Sequence, residues 1–288
     1  MNELGKVRLR ILGFIDEQLL KFKKLIELAI ETDGENGKSS IIRSSTLINL
    51  IHDAVKHELI KHGANPDNIY PKLGESRPEI KIAGFLKQKN QDVCIIPSNI
   101  EMKRESINWG PVATEGVFDQ YGFEFSQNIL VVNVRSQLSS LAKNSDTLFE
   151  RTFAEALNLH LRYPEMVLGE VYLIPVYEYD DLMVKNRQVG FKISKTNIEK
   201  YISFFHAMNG RIDGDEDYKY ERASLLIVDF TRDTPKLYRT TQELRDDGLI
   251  SDEFKIGVES LSFDTFADDI LKTYAQRFNL GNITQQSK

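Results

Sequence analysis

Ile129-Leu130-Val131-Val132-Asn133-Val134-Arg135 is the stretch whose reading decides the fold. Successive strand residues point to opposite faces, so a strand over about 128–135 sends Val132 and Val134 into a core and presents Asn133 and Arg135 together on the other face. Upstream, Gln91-Asp92-Val93-Cys94-Ile95-Ile96 is a second buried run that opens with an acid. Downstream comes Lys143, then a helix over about 146–162 that carries Glu150, Arg151 and Glu155. In that helix Leu148, Phe149, Phe153, Ala156, Leu157 and Leu161 form the buried stripe, and Thr147-x-x-Glu150 is spaced as a capping box.

Further out, apolar residues recur at steps of three and four from Ile11 to Ala29, giving a helix over 7–31 that Asp33-Gly34-Glu35-Asn36-Gly37 breaks. A second helix runs from about Ser40 to His62 and stops at Gly63. Ile80, Ile82 and Phe85 read as a strand, Lys87-Gln88-Lys89-Asn90 as a turn, and Asp92 to Ile96 as the next strand. Residues 98–127 are irregular and hold the single tryptophan, Trp109. A loop of that length is uncommon unless it works. Beyond, Gly169–Tyr177 and Ala223–Phe230 read as strands, and Asn197–Met208 and Asp264–Phe278 as helices. Intermingled strands and helices predict one α/β domain over 1–288 with a mixed sheet flanked by helices. Its core spans about 77–180, with N-terminal helices at 7–62 and a C-terminal elaboration at 181–288.

Composition narrows the class. With 41% hydrophobic and 28% charged residues the chain is an ordinary globular sequence. No apolar run approaches the roughly 18 residues of a membrane helix, and Met1-Asn2-Glu3-Leu4 opens no signal peptide. The lone Cys94 sits inside a buried strand, which excludes a disulfide framework and points to a reducing cytoplasm. The net charge of −6 weighs against non-specific nucleic-acid binding, so a DNA enzyme of this composition must gather its basic residues in one cleft.

An acid on one strand, a polar pair on the next and an acidic helix after it form the layout of a metal-dependent nuclease. Phosphodiester hydrolysis needs a cation that neutralises phosphate and acidifies water, and Mg²⁺ prefers oxygen ligands. Asp92, at the mouth of an apolar strand, is the first candidate ligand; the plainer alternative is that it ends a solvated turn.

On Lys89-Asn90-Gln91-Asp92-Val93, then Val132 to Asn144, then Glu150, the stretch Arg77–Asp180 resembles the core of type II restriction endonucleases of the PD-(D/E)XK superfamily. Asn133 stands where that pattern has an acid, and Arg135 where it has a lysine. Arginine stays protonated and is a poor base, although it can support phosphate charge. In some members the second acid migrates to the following helix. Here 42 residues (93–134) separate Asp92 from Arg135, and 14 (136–149) separate Arg135 from Glu150, a similar spacing. The resemblance implies a restriction-endonuclease-like fold and an Mg²⁺-dependent, sequence-specific endonuclease acting on double-stranded DNA as a homodimer. Asp92 and Glu150 would hold the metal, and Arg135 and Asn133 would act at the phosphate. Lys143, Asn144 and Arg151 lie close to that site in sequence and are the candidates for contact with DNA phosphate or base edges; a solvated helix entry is the alternative.

Glu155 is the reserve second acid, and a capping role is the alternative for Glu150. Glu79 is a minor alternative, since a turn at 87–90 would leave it roughly 20 Å from Asp92. The substitutions at 133 and 135 favour a second class of function, a non-catalytic DNA- or partner-binding protein on a nuclease-like fold. His52, Asp53, His57, Glu58 and His62 read as helix-face pairs. Asp213-Gly214-Asp215-Glu216-Asp217 starts like a calcium loop but has Tyr218 where that loop needs glycine.

Overall fold

The structure, a computed structural model, describes residues 12–212 and 216–284. Helices α1 (Phe14–Arg43) and α2 (Thr46–Lys61) lead. Ile15, Leu19, Phe22, Ile26 and Ile30 give α1 one buried stripe. The break expected at 33–37 is a kink: Asp33 and Gly34 leave helical geometry and the helix then resumes to Arg43. Gly34 has φ +57, and a Cβ there would lie 2.8 Å from the Val184 carbonyl oxygen, so the position needs glycine. The chain turns instead at Ser44-Ser45. Residues 7–11 of the expected first helix lie outside the described residues.

Strand β1 (Ile69–Tyr70) precedes a hairpin of β2 (Ile80–Ala83) and β3 (Gln88–Gln91), and β4 (Val93–Ile95) follows at once. The turn expected at 87–90 therefore falls earlier. Gln88 to Gln91 are a polar strand in register with β2, from Ala83↔Gln88 to Ile80↔Gln91. Only Gln91 in β3 is buried, which is why its composition imitates a turn.

Residues 98–127 hold a short ribbon, β5 (Glu105–Ser106) with β6 (Phe118–Asp119), and a small helix α3 (Phe123–Gln127). Then come β7 (Leu130–Ser136), α4 (Leu141–His160) and β8 (Val167–Pro175). Helix α4 starts ahead of the expected 146. The Glu178 carboxylate accepts the Ser140 and Leu141 N–H groups at 2.9 and 3.0 Å, capping the helix from a distant segment. Thr147 and Glu150 therefore lie inside the helix and form no capping box. The remaining elements are β9 (Tyr177–Tyr179), α5 (Asp181–Lys185), β10 (Phe191–Lys195), α6 (Ile198–Met208), β11 (Arg222–Asp229), β12 (Lys236–Tyr238), α7 (Thr241–Asp246) and α8 (Phe263–Arg277).

The main sheet is mixed, in the order β1-β4-β7-β8-β11-β12. Strands β7, β8 and β11 are parallel, while β1, β4 and β12 pair antiparallel with their neighbours. Every residue of β8 is buried, as a central strand covered on both faces requires. One face carries Val93, Val132, Val134, Val171 and Leu226 and packs on α1, α2 and α8. The other carries Cys94, Val131, Leu168, Tyr172 and Leu225 and packs on α4, α6 and the β2–β3 hairpin. The chain is thus an α/β protein whose mixed sheet is flanked by helices. Asn133 and Arg135 share a face as the alternation predicts, but α4 covers it. Among the described residues no helix is long and apolar enough to cross a membrane.

Candidate functional site

A row of polar residues crosses three adjacent strands where the ladder of β4 on β7 runs out. Val93 pairs with Val132, so Asp92 stands one step beyond, opposite Asn133. Asn133 in turn pairs with Glu170 on β8. Asp92 uses its side chain where a strand would use its backbone: Oδ2 accepts the Val134 N–H at 2.9 Å. An otherwise unmet N–H at a strand end is costly to bury, so this bond fixes the carboxylate as well as the ladder end.

Two residues along the same face, Arg135 gathers the acids. Its Nη1 donates to Thr152 Oγ1 at 2.7 Å and lies 3.2 Å from Glu170 Oε1, while Nη2 pairs with Glu155 Oε2. Lys89 Nζ reaches the other Glu155 oxygen at 2.6 Å. Burial opposes the charge on Arg135, yet Glu170, Glu155 and Asp92 around it outweigh that and hold it above its ordinary value. Burial likewise works against ionised Glu155, but Arg135 and Lys89 pull its carboxyl below the usual range. Glu170 differs. Complete burial, with Glu155 and Asp92 adding to it against the pull of Arg135, pushes its carboxyl up to about 8. Its contact with Arg135 meets the distance of an ion pair, but neither Glu170 oxygen receives a hydrogen bond of sound angle. Asn133 Oδ1 is also buried without a donor. Near neutral pH Glu170 therefore keeps its proton, and the two cations balance Asp92 and Glu155.

These donors can be weighed against Mg²⁺. Asp92, Asn133 and Glu170 supply the hard oxygens the ion prefers, and those of Asn133 and Glu170 lack partners. Among the described residues no group of three or more His, Cys, Asp or Glu is arranged to hold a metal ion. The set fits in donor type, provided the carboxamide serves as one ligand and Glu170 gives up its proton.

Of the residues singled out from sequence, the fold brings Asp92, Asn133 and Arg135 together and leaves Glu150 apart. Glu150 is exposed and borders an apolar hollow with Phe149, Phe153 and Phe204. It precedes Glu155 by five residues, about 140° around the helix, so the two cannot face one site. Lys143 and Asn144 are exposed at the start of α4, and Lys143 lies about 18 Å along the axis from Glu155. Arg151 joins Leu86, Lys87, Ala154, Glu155 and Asn158 around a cleft of about 380 Å³.

The hairpin register also revises Glu79. Ile80 pairs with Gln91, so Glu79 and Asp92 are adjacent across the two strands rather than six residues apart. Glu79 Oε2 accepts Asn90 Nδ2 at 2.7 Å and Arg77 Nη1 at 3.1 Å. On α2, His57 stacks on Phe14 at 4.1 Å and Glu58 pairs with Lys61 at 2.8 Å. His52 is buried with Nε2 unpartnered, and burial lowers its pKa. Asp213 to Asp215 of the calcium-like stretch lie outside the described residues. Asp217 is taken by Arg211 at 2.8 Å.

The sequence reading missed Glu170, Thr152 and Lys89. Glu170 carried a usable signal, since it is an acid inside the apolar run Val167–Ile174 and charged residues are almost never fully buried unless paired. Lys89 lies in a strand whose polar composition imitates a turn. Residues 81–104 hold five basic side chains (Lys81, Lys87, Lys89, Lys103, Arg104) against two acids (Asp92, Glu101), a local +3 in a chain of −6. That excess is confined to the window: Glu79 and Glu105 border it, and residues 98–127 carry two basic side chains (Lys103, Arg104) against five acids (Glu101, Glu105, Glu115, Asp119, Glu124). No family model, curated protein or solved structure matches this chain.

Proposed function

We propose that the chain is a DNA-binding protein built on a restriction-endonuclease-like core. One observation carries this reading: Arg135 and Lys89 already neutralise the inner carboxylates, while Lys87 and Arg151 line the adjoining cleft and make no ion pair among the described residues. Backbone phosphates supply most non-specific affinity to such a surface. The order of hairpin, antiparallel strand, helix and parallel strand supports the nuclease-like comparison without requiring its chemistry.

A second reading, Mg²⁺-dependent cleavage of the restriction type by a homodimer, rests on the unpartnered oxygens of Asn133 and Glu170 beside Asp92. Those three residues would hold the ion, with Glu170 as the second acid in place of Glu150. The ion would acidify a water and screen the phosphate. Arg135 would orient the scissile phosphate. A two-fold dimer would offer one centre per strand.

Incubating the protein with mixed-sequence duplex DNA, with and without Mg²⁺, separates the two. The first reading expects intact DNA and a gel shift that fades with salt. Discrete fragments that disappear in Asp92→Ala establish the second. Absence of both shift and cutting rejects both readings.

A further inference from the structure

Among Asp92, Glu155 and Glu170, only Glu155 is held by side chains alone. Asp92 is fixed by the Val134 N–H at 2.9 Å, and Glu170 is wholly buried and keeps its proton near neutral pH. Glu155 accepts no backbone N–H among the described residues. Its Oε1 pairs with Lys89 Nζ at 2.6 Å and its Oε2 with Arg135 Nη2. Burial resists its charge, and Arg135, Lys89 and Lys87 together overcome that. Solvent reaches all three members of the bridge: Lys89 is 29% exposed, Glu155 19% and Arg135 18%.

Glu155 also lines the cleft of about 380 Å³ that Lys87 and Arg151 share. Its carboxylate therefore stands between that open space and the two cations behind it. Small Ala154 adjoins it on the cleft wall, so its flexible stem has room to turn outward. Once it turns, Lys89 has no ion-pair partner, and Arg135 keeps only protonated Glu170 and the Thr152 hydroxyl, to which its Nη1 donates at 2.7 Å. That bond keeps the guanidinium aimed while its other arm comes free.

We infer that Arg135 and Lys89 form a phosphate site whose built-in occupant is Glu155, which a ligand phosphate displaces. The inference rests on the DNA-binding reading and deepens it, because it names the inner cations that grip the backbone and the acid that gates them. A phosphodiester, like a carboxylate, spreads one negative charge over two free oxygens. It can give one oxygen to Lys89 and the other to Arg135 Nη2, as Glu155 does now. Displacement exchanges one anion for another. Lys87 and Arg151 tip the exchange toward a ligand that carries further phosphates along the cleft.

The test compares wild type, Glu155→Gln, Lys89→Ala and the double variant. Each is titrated with a labelled duplex by fluorescence anisotropy, and with inorganic phosphate by thermal unfolding at constant ionic strength. Glutamine keeps the shape of Glu155 without its charge, so Glu155→Gln should bind duplex about 10-fold more tightly, a step in the range for freeing a charged hydrogen-bond donor. Lys89→Ala should erase that gain yet cost the wild type little, because there it weakens the hold on ligand and on Glu155 alike. Glu155→Asp keeps the charge but shortens the reach; it should show part of the gain, and it replaces the glutamine variant if that one fails to fold. Inorganic phosphate should raise the melting temperature of Glu155→Gln more than that of wild type. Equal duplex affinity with and without the Glu155 change, or a gain that survives Lys89→Ala, overturns the displaced carboxylate and leaves the DNA-binding reading standing. Stabilisation by phosphate with no duplex binding rejects DNA as the source of the phosphate and keeps the site. Failure of both ligands overturns the two together.

Discussion

Replacing Glu170 with glutamine tests the physical state of the site without reference to any ligand. Glu170 is wholly buried and its carboxyl is raised from 4.5 to about 8. Between those values the native protein keeps a proton that the unfolded chain has released, so stability falls as pH rises, by up to about 1.4 kcal/mol per pH unit. Below 4.5 both states hold the proton and the slope vanishes; above about 8 both have lost it and the full penalty stands. Across that window the loss is on the order of 5 kcal/mol, comparable with the whole stability of a marginal domain. Glutamine mimics the protonated acid and does not titrate. Glu170→Gln should match the wild type within about 1 kcal/mol near pH 5 and exceed it by several kcal/mol near pH 8. The assay is urea unfolding across a pH series, with the m-value checked for constancy. A variant that keeps the wild-type slope, or that is less stable than wild type at pH 8, would show Glu170 ionised and held by Arg135, refuting the charge balance drawn here.

Other expectations follow from neighbouring geometry. Glu221 is held to about 2, where burial is outweighed by His160, Arg277 and the Leu168 N–H. Its contribution is present above about 4.5 and is lost as pH falls toward 2, so acid unfolding of Glu221→Gln should be flatter, from a baseline about 3–5 kcal/mol lower. Gly84→Ala would set a Cβ 2.5 Å from the Asn158 backbone oxygen and push the hairpin off α4. A loss of about 1–3 kcal/mol is expected by thermal unfolding, with faster hydrogen exchange at Leu86 and Lys87, whose N–H groups Asn158 Oδ1 accepts at 2.7 and 3.2 Å. Glu150→Gln should leave stability and DNA affinity unchanged within about 0.5 kcal/mol. Glu155→Gln, which strips Lys89 and Arg135 of their shared partner, should change both.

Much of the sheet was legible because buried strands write themselves as apolar runs: Ile129–Val132, Val167–Ile174 and Ala223–Val228 are all inner strands. What escaped depended on partners distant in sequence. The start of α4 is set by Glu178, 38 positions from Ser140, whereas Thr147 and Glu150 supplied a local pattern with no end to cap. Asp92, Asn133 and Arg135 converge as alternation and pairing suggest. The acid partners are Glu155 and Glu170 rather than Glu150, because the phase of α4 over the sheet cannot be read from spacing alone. A turn at 87–90 would set Glu79 about six residues from Asp92, whereas the register from Ala83↔Gln88 to Ile80↔Gln91 brings the two side by side.

DNA binding at the cleft is tested most directly by the salt dependence of duplex affinity for wild type and for Lys87→Ala/Arg151→Ala, followed by fluorescence anisotropy. These two side chains line the cleft and make no ion pair among the described residues, so their removal should spare the fold. The slope of log K against log salt should become shallower by up to about 0.9 for each phosphate that the two side chains neutralise. An identical slope and affinity in the double variant would place DNA elsewhere on the molecule, or nowhere.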